Sequence, residues 1–160
     1  MTELAQTMQR DFILTAHSSV HGTGVFAKRL IPKGTRIIEY AGRRMSLAAY
    51  NAAYGADTVI YGFTADGDTV IDGSVEGNDA RFINHSCAPN CEAISFERER
   101  IYIYAMGDIA QGDELSFDYQ LGQAGQSGIG TATQEAMKDW ACHCGASTCR
   151  GTLLARDKTT

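Results

Sequence analysis

The sequence has no long uninterrupted hydrophobic run, no run of like charges and no internal repeat. No segment approaches the roughly 20 consecutive apolar residues that a membrane-spanning helix needs. The N-terminus, MTELAQTMQRDF, lacks the apolar core of a signal peptide. We therefore expect an intracellular protein without a membrane span, in a compartment where disulfides do not persist. Its 160 residues are enough for one domain with a sizeable core.

Positive charge is in the minority. Lysine and arginine number 14 against 19 aspartates and glutamates, which gives a net charge of -5. Direct binding of nucleic acid needs a basic surface for phosphate contacts, so we expect none here. The acidic balance suits a cationic partner better, because complementary charge steers encounter, although it also serves simple solubility. No feature of the sequence indicates the oligomeric state.

The pattern of residues predicts a mainly β fold of short strands separated by turns. The segments DFILTAHSS, GVFAKRLI and TRIIEYAG are rich in β-branched and aromatic residues. Two further segments, DTVIYGFTADGDTVIDG and CEAISFERERIYIYAM, have turn residues at their centres and are predicted to be β-hairpins. One helix is predicted, in SLAAYNAAYG, with Ser46 as its N-cap and Gly55 at its end.

The composition changes after the last predicted strand. The segment QLGQAGQSGIGTATQ is rich in Gly, Ser and Gln and has little to bury, which is typical of a mobile loop or linker. A short helical piece, EAMKDW, follows it.

Three cysteines come next, in CHCGASTC: Cys142, Cys144 and Cys149. The segment has too few apolar residues to bury three thiols, whereas zinc takes tetrahedral thiolate ligands and holds small irregular segments together. Free thiols or a redox pair are the alternative. A fourth zinc ligand is needed. His143 lies between two of the cysteines, a cramped place from which to reach the same ion, and the other candidates are Cys87 and Cys91.

The segment RFINHSCAPNC contains those two cysteines, and alone it is open to four interpretations. It could form a disulfide, half of a metal site, a Cys/His catalytic pair or an ordinary turn. A catalytic pair of Cys87 and His85 is disfavoured, because the two residues are nearly adjacent in the chain.

The segment GTGVFA, from Gly22 to Ala27, satisfies a loose dinucleotide-binding fingerprint. That fingerprint requires a helix immediately after it, and here Pro32 and Gly34 occupy the place of the helix. What remains is that two glycines allow the backbone to approach another chain segment or a ligand closely.

Five segments occur in the order and approximate spacing of a SET-domain protein lysine methyltransferase with a post-SET zinc segment. They are HGTGVFAKRLIPKGTRIIEYAG, VIYGFTADGDTVIDG, GNDARFINHSCAPNC, IAQGDELSFDY and CHCGASTCRGTLL. The chain resembles the branch of this family that modifies histone tails, from about Phe12 to Leu154. The resemblance implies several small sheets and a pseudoknot of the NHSC and FDY segments at the active site. It also implies a SET domain at 12–120, a flexible linker at 121–139 and a post-SET zinc segment at 140–155.

The resemblance further implies that S-adenosylmethionine binds on one face and that the target lysine enters through a channel from the other. Tyr119 would lie at the methyl-transfer point, with Tyr61 and Phe117 as channel walls, although aromatic residues taken singly belong more often to a core. The implied cofactor-binding residues are His21, Gly22, Thr23, Gly24, Tyr61, Asn84, His85, Trp140 and His143. The implied zinc ligands are Cys87, Cys142, Cys144 and Cys149, which leaves Cys91 as a small buried apolar residue.

Phe117 lies two residues before Tyr119, at a position where tyrosine tends to stop SET enzymes at monomethylation. The resemblance therefore implies di- or trimethylation of a lysine-containing protein, with a basic histone tail as the expected substrate. It places the protein in the nucleus on chromatin if it is eukaryotic or acts in a host, and otherwise in the cytoplasm. A methyltransferase of a non-histone basic protein, a non-catalytic SET-like module that binds a peptide or cofactor, and a purely structural zinc protein are the alternatives.

Overall fold

The computed structural model describes residues 11–54, 61–65, 68–97, 99–121 and 140–155. Within these residues the chain forms ten short strands in four small sheets, one α-helix and one 3-10 helix. The strands are β1 Ile13–His17, β2 Thr23–Ala27, β3 Arg36–Glu39, β4 Arg43–Ser46, β5 Gly62–Thr64, β6 Thr69–Asp72, β7 Asn84–His85, β8 Cys91–Phe96, β9 Arg100–Ala105 and β10 Ser116–Phe117. The helices are α1 Leu47–Tyr54 and the 3-10 helix η1 Asp79–Phe82. The prediction of a mainly β fold with several small sheets is confirmed.

The first hairpin pairs β1 with β2 in antiparallel register, from Ile13 opposite Ala27 to His17 opposite Thr23. Its turn closes where the Ser18 amide donates to the Gly22 carbonyl at 2.8 Å. The chain after β2 forms turns and a single bridge instead of a helix, so the glycine-rich segment is not a dinucleotide-binding loop.

The main core lies under the sheet of β3, β9 and β8. The predicted hairpin of β8 and β9 is confirmed, with Cys91 opposite Ala105 and Phe96 opposite Arg100. Alternation along the strands places Ile37, Ile101 and Ile103 in the core without exposed surface.

A second sheet has the order β4, β6, β5, and it contains the other predicted hairpin, β5 with β6. Helix α1 packs on it, with Tyr50 3% exposed beside the fully buried Val70. Ser46 is the N-cap as predicted, because its Oγ accepts a hydrogen bond from the Ala49 amide at 3.1 Å. Gly55, the predicted end of the helix, lies outside the described residues.

The smallest sheet joins segments that are far apart in the chain. Strands β7 and β10 run parallel, with Ser116 beside Asn84 and Phe117 beside His85. The Ser86 amide continues the pairing by donating to the Phe117 carbonyl at 3.2 Å. This pairing brings the NHSC segment directly against FDY.

The C-terminal segment returns to the end of β10. The Leu121 amide donates to the Leu153 carbonyl at 3.2 Å, and the Ala155 amide donates to the Leu121 carbonyl at 2.9 Å. The predicted linker lies outside the described residues from residue 122 onward, as does most of the predicted EAMKDW helix. No helix within the described ranges is long and apolar enough to cross a membrane.

Candidate active site

Tyr119 is held by both its side chain and its backbone. Its hydroxyl donates to the Ile83 carbonyl at 2.6 Å, and its amide donates to Nδ1 of His85 at 3.1 Å. Burial raises the pKa of Tyr119, and the neighbouring Tyr61 and Glu114 act in the same direction. The hydroxyl is therefore neutral and fixed in orientation, next to the β7–β10 pair.

An aromatic cluster, made of Tyr40, Phe63, Phe117 and Tyr119, extends from this hydroxyl into the core. The ring of Phe117 lies 4.9 Å from that of Tyr119 and 5.7 Å from that of Phe63, between centroids. The ring of Tyr40 lies 5.2 Å from that of Phe63, and its hydroxyl donates to the Tyr61 carbonyl at 2.6 Å. Predicted residues Tyr61, Phe117 and Tyr119 are thus joined through two residues that the sequence analysis missed. The alternation of Tyr61 and Phe63 on one hairpin was the available signal.

Asn84 anchors the loop at 21–24. Its Nδ2 donates to the carbonyls of His21 and Thr23, both at 3.2 Å, and to Oε1 of Glu114 at 2.9 Å. Gly22 has φ +47°, a left-handed conformation that glycine adopts without strain. The four predicted cofactor-loop residues and Asn84 therefore form one connected unit.

A pocket of about 160 Å³ opens beside this unit. It is lined by Val20, Asn84, His85, Ser86, Glu114, Ser116 and Cys144. The lining mixes amide, carboxylate and hydroxyl groups, which suits the polar amino-acid end of a cofactor such as S-adenosylmethionine. Of the predicted cofactor residues, Asn84 and His85 belong to this lining.

His85 connects the Tyr119 backbone to the cysteines. Because Nδ1 accepts from the Tyr119 amide, the ring hydrogen belongs on Nε2, which lies 3.3 Å from Sγ of Cys87. Burial lowers the pKa of His85, while Asp118 raises it and Arg150 lowers it further. A neutral imidazole that donates from Nε2 to a thiolate satisfies both contacts.

The predicted zinc ligands converge. The sulfurs of Cys87, Cys142, Cys144 and Cys149 all lie within 4.8 Å of one another, and those of Cys87 and Cys142 are 3.8 Å apart. Tetrahedral zinc with Zn–S bonds of about 2.3 Å places its sulfurs about 3.8 Å apart. Burial raises the pKa of Cys142 to about 12, so a cation is needed to keep all four groups as thiolates. The cluster can hold a metal ion, and its geometry and donor set are those of zinc.

The other residues named from the sequence, Cys91, Trp140 and His143, are not part of the four-cysteine cluster. Cys91 is 1% exposed in the main core, which agrees with its interpretation as a small apolar residue. Trp140 is half-buried and its carbonyl accepts from the Leu153 amide at 2.9 Å, whereas His143 is exposed. The pocket receives Cys144 from this segment, so an adenine-packing role for Trp140 and His143 stays a prediction.

An ion pair that the sequence analysis missed ties the cysteine segment to the active-site strand. Arg150 donates from its two terminal nitrogens to the two oxygens of Asp118, at 2.6 and 2.8 Å. The Arg150 amide also lies 3.5 Å from Sγ of Cys87. Burial alone would raise the pKa of Asp118, but the hydrogen bonds from Arg150 outweigh it and lower that pKa. The CRG motif was the only available signal.

Comparison with known proteins identifies relatives of this chain. A family model described as SET domain matches residues 22–120, more than half of the chain. The histone-lysine N-methyltransferase, H3 lysine-4 specific, of Chaetomium globosum is 39% identical over 86% of this chain and 13% of that protein. The protein of the same description from Schizosaccharomyces pombe is 41% identical over 85% of this chain and 14% of its own length. Human histone-lysine N-methyltransferase 2B is 37% identical over 83% of this chain and 5% of its own length.

A solved structure gives the same result at the level of the fold. It is ctPRC2 in an autoinhibited conformation bound to S-adenosylmethionine, with a TM-score of 0.63 and 28% sequence identity over 68% of this chain and 15% of that one. This chain spans 5 to 14% of the length of the three sequence relatives. The family match and the identity over most of this chain show that it belongs to the SET-domain family.

Proposed function

We propose that this chain is an S-adenosylmethionine-dependent protein lysine N-methyltransferase that acts on a histone tail. One observation carries the proposal: the Tyr119 hydroxyl is fixed on the Ile83 carbonyl, while its ring packs on Phe117 and its amide is held by His85. The three sequence relatives are described as histone-lysine N-methyltransferases, and the structural neighbour is bound to S-adenosylmethionine.

The role of Tyr119 follows from its hydrogen bonds. Methyl transfer from a sulfonium to an amine is an in-line displacement, so catalysis depends mainly on positioning. Bound S-adenosylmethionine supplies the methyl group. Because the Tyr119 hydroxyl donates its hydrogen to Ile83, its oxygen is left to accept from the lysine amine. Its raised pKa makes Tyr119 an orienting group and not a base.

Aromatic side chains around the lysine amine would help it lose its proton. A lysine amine has a pKa of about 10.4 in water and must be neutral to attack. We assign Tyr61 and Phe117 to the walls of the lysine channel, where a surrounding of low polarity disfavours the charged amine and lowers its pKa. Water can then carry the proton away.

The cofactor and zinc assignments rest on the contacts around Asn84. We assign the amino-acid end of the cofactor to the 21–24 loop and Asn84, and the adenine to His85 with Trp140 and His143. Zinc bound by the four cysteines would hold the C-terminal segment against the pocket, where Cys144 already contributes to the lining.

The substrate assignment rests on charge and on the relatives. The net charge of -5 complements a basic tail. Two of the relatives are described as specific for H3 lysine-4, so the H3 tail is the first substrate to test, and chromatin in the nucleus is the corresponding location. Because Phe117, and not a tyrosine, lies two residues before Tyr119, we expect di- or trimethylation.

The test is radiolabelled methyl transfer from S-adenosylmethionine to histone octamer and, separately, to a cell lysate, with mapping of the labelled site. We expect label on histone H3, and a loss of at least about 100-fold in rate for Tyr119→Phe with cofactor affinity retained. Tyr104→Phe, a change away from the site, serves as the matched control. Label only on another basic protein would mean that this protein, and not a histone, is the substrate. Cofactor binding without any methyl transfer would favour a non-catalytic module.

A further inference from the structure

The Glu114 carboxylate lies at the edge of the pocket, between the cofactor loop and Asn84. Its Oε1 accepts hydrogen bonds from Oγ of Ser18 at 2.7 Å and from Nδ2 of Asn84 at 2.9 Å. Its backbone is fixed as well, since its carbonyl accepts from Nδ2 of Asn90 at 2.9 Å and Glu114 bridges to Phe26. The carboxylate is therefore held in one position and is not a mobile surface group.

Gly24 makes room for this carboxylate. A Cβ at Gly24 would overlap Oε1 of Glu114 and press on Cβ of Ser18. The second glycine of the loop thus allows the backbone to pass beside a charged side chain that belongs to a segment 90 residues later. The sequence alone indicates only that Gly24 permits a close approach, and in the structure the neighbouring group is the Glu114 carboxylate.

The contacts of Asn84 determine which way its amide faces. An asparagine side chain donates only through its nitrogen and accepts only through its oxygen. Nδ2 of Asn84 is directed at three acceptors, the carbonyls of His21 and Thr23 and the Glu114 carboxylate. Among the residues that the structure describes, no donor contacts Oδ1 of Asn84, and Asn84 is one of the residues that line the pocket. The bond to the carboxylate is the shortest of the three and is charge-assisted, so it contributes most to this orientation.

We infer that Glu114 is a positioning residue that holds Asn84 with Oδ1 available to accept from the ammonium group of S-adenosylmethionine. The inference rests on the proposed function, because it assumes that this cofactor enters the pocket. The role is specific to the amino-acid end of the cofactor. A ligand that has the adenosine but lacks that end does not depend on Glu114.

Two ligands test this selectivity. Calorimetric affinities for S-adenosylmethionine and for 5′-methylthioadenosine, which lacks the amino-acid end, are measured on the wild type, Glu114→Gln and Asp113→Asn. Asp113 is the exposed neighbouring carboxylate, so its change controls for the loss of one charge. We expect Glu114→Gln to bind S-adenosylmethionine about tenfold more weakly and methylthioadenosine within twofold of the wild type, with Asp113→Asn unchanged for both. Equal losses for both ligands, or no loss, would overturn the inference.

A double-mutant cycle separates an action on Asn84 from an action on the loop through Ser18. In Asn84→Asp an oxygen faces the pocket whichever way the side chain is turned, so adding Glu114→Gln should cost no affinity and should relieve the repulsion between two carboxylates. If Glu114→Gln also weakens the binding of S-adenosylmethionine tenfold in the Asn84→Asp variant, the inference is contradicted. If the wild type binds methylthioadenosine but not S-adenosylmethionine, or neither ligand, the proposed function fails, an outcome distinct from a failure of the selectivity.

Discussion

Arg150 forms a bidentate ion pair with Asp118, the residue that directly precedes Tyr119 in the chain. Arg150 directly follows Cys149 of the four-cysteine cluster, so this pair connects the cluster to the active-site strand. Both side chains are largely covered, at 12% and 24% exposed. Such a pair is costly to break on one side, because the remaining charge keeps its burial but loses its partner.

The first prediction concerns the geometry of this pair. Arg150→Lys keeps the positive charge but cannot make two parallel hydrogen bonds to a carboxylate. We expect it to lower the free energy of unfolding by about 2 kcal/mol and to lower the methylation rate, as measured by chemical denaturation and by transfer assays. The matched control is Arg29→Lys in the exposed pair of Arg29 with Asp11, where we expect a change of less than about 1 kcal/mol. Equal effects in the two variants would argue against a special role for Arg150.

The second prediction concerns zinc. We expect one zinc per chain by atomic absorption, and its removal by a chelator should weaken the binding of S-adenosylmethionine and abolish methyl transfer together. Cys87→Ser should do the same, because Cys87 joins the cluster to His85 beside the pocket. Cys91→Ala should keep the zinc and the cofactor affinity, since Cys91 is buried in the main core. A Cys87→Ser protein that lacks zinc and still methylates at the normal rate would refute the connection.

The strands were predictable where the chain alternates locally. The β8–β9 and β5–β6 hairpins follow from apolar alternation around turn residues, and the structure contains both. Strand β4 was not predictable, because Arg43–Ser46 is a polar stretch without alternation. It forms through its pairing with β6, a contact between segments that local propensity does not encode.

In the candidate site, too, the residues of contiguous motifs were predictable and those that depend on contacts between distant segments were not. The motifs locate Asn84, His85, Tyr119 and the cysteines within a few positions, since each motif is contiguous in the chain. Glu114 was missed, because its carboxylate contacts Asn84 and Ser18, which are 30 and 96 residues away in the chain. A short motif cannot reveal a contact of that sequence separation.

The third prediction concerns Asp72, a buried carboxylate that the sequence analysis also missed. Asp72 is 1% exposed and accepts from the Tyr54 hydroxyl at 2.6 Å and from Oγ of Ser74 at 2.5 Å, with Arg43 at 3.7 Å. Burial alone would raise its pKa, but the hydrogen bonds and Arg43 outweigh it and lower that pKa. The stabilisation is therefore present at pH values above the unfolded pKa of about 3.9 and is lost as the pH falls through the folded pKa.

Asp72→Asn should accordingly lower the free energy of unfolding by about 1 to 3 kcal/mol at pH 7. The difference from the wild type should shrink as the pH is lowered from 5 towards 3, because the wild type loses the advantage that the variant lacks. Denaturant titrations at several pH values measure both effects, with the exposed Asp113→Asn as the control. A difference that stays constant over this range would mean that the charge of Asp72 contributes no stability.

The last prediction concerns the number of methyl groups. Phe117 is 5% exposed and packs between the rings of Phe63 and Tyr119. Phe117→Tyr adds a hydroxyl at this place, which can hold a water or the amine and removes space that a methylated amine needs. With excess cofactor and an H3 peptide, we expect di- or trimethylated product from the wild type and mainly monomethylated product from Phe117→Tyr, by mass spectrometry. The rate of the first transfer should change much less than the later ones, because only the methylated amine needs the added space. A wild type that stops at the monomethyl product would show that Phe117 does not set the product state in this chain.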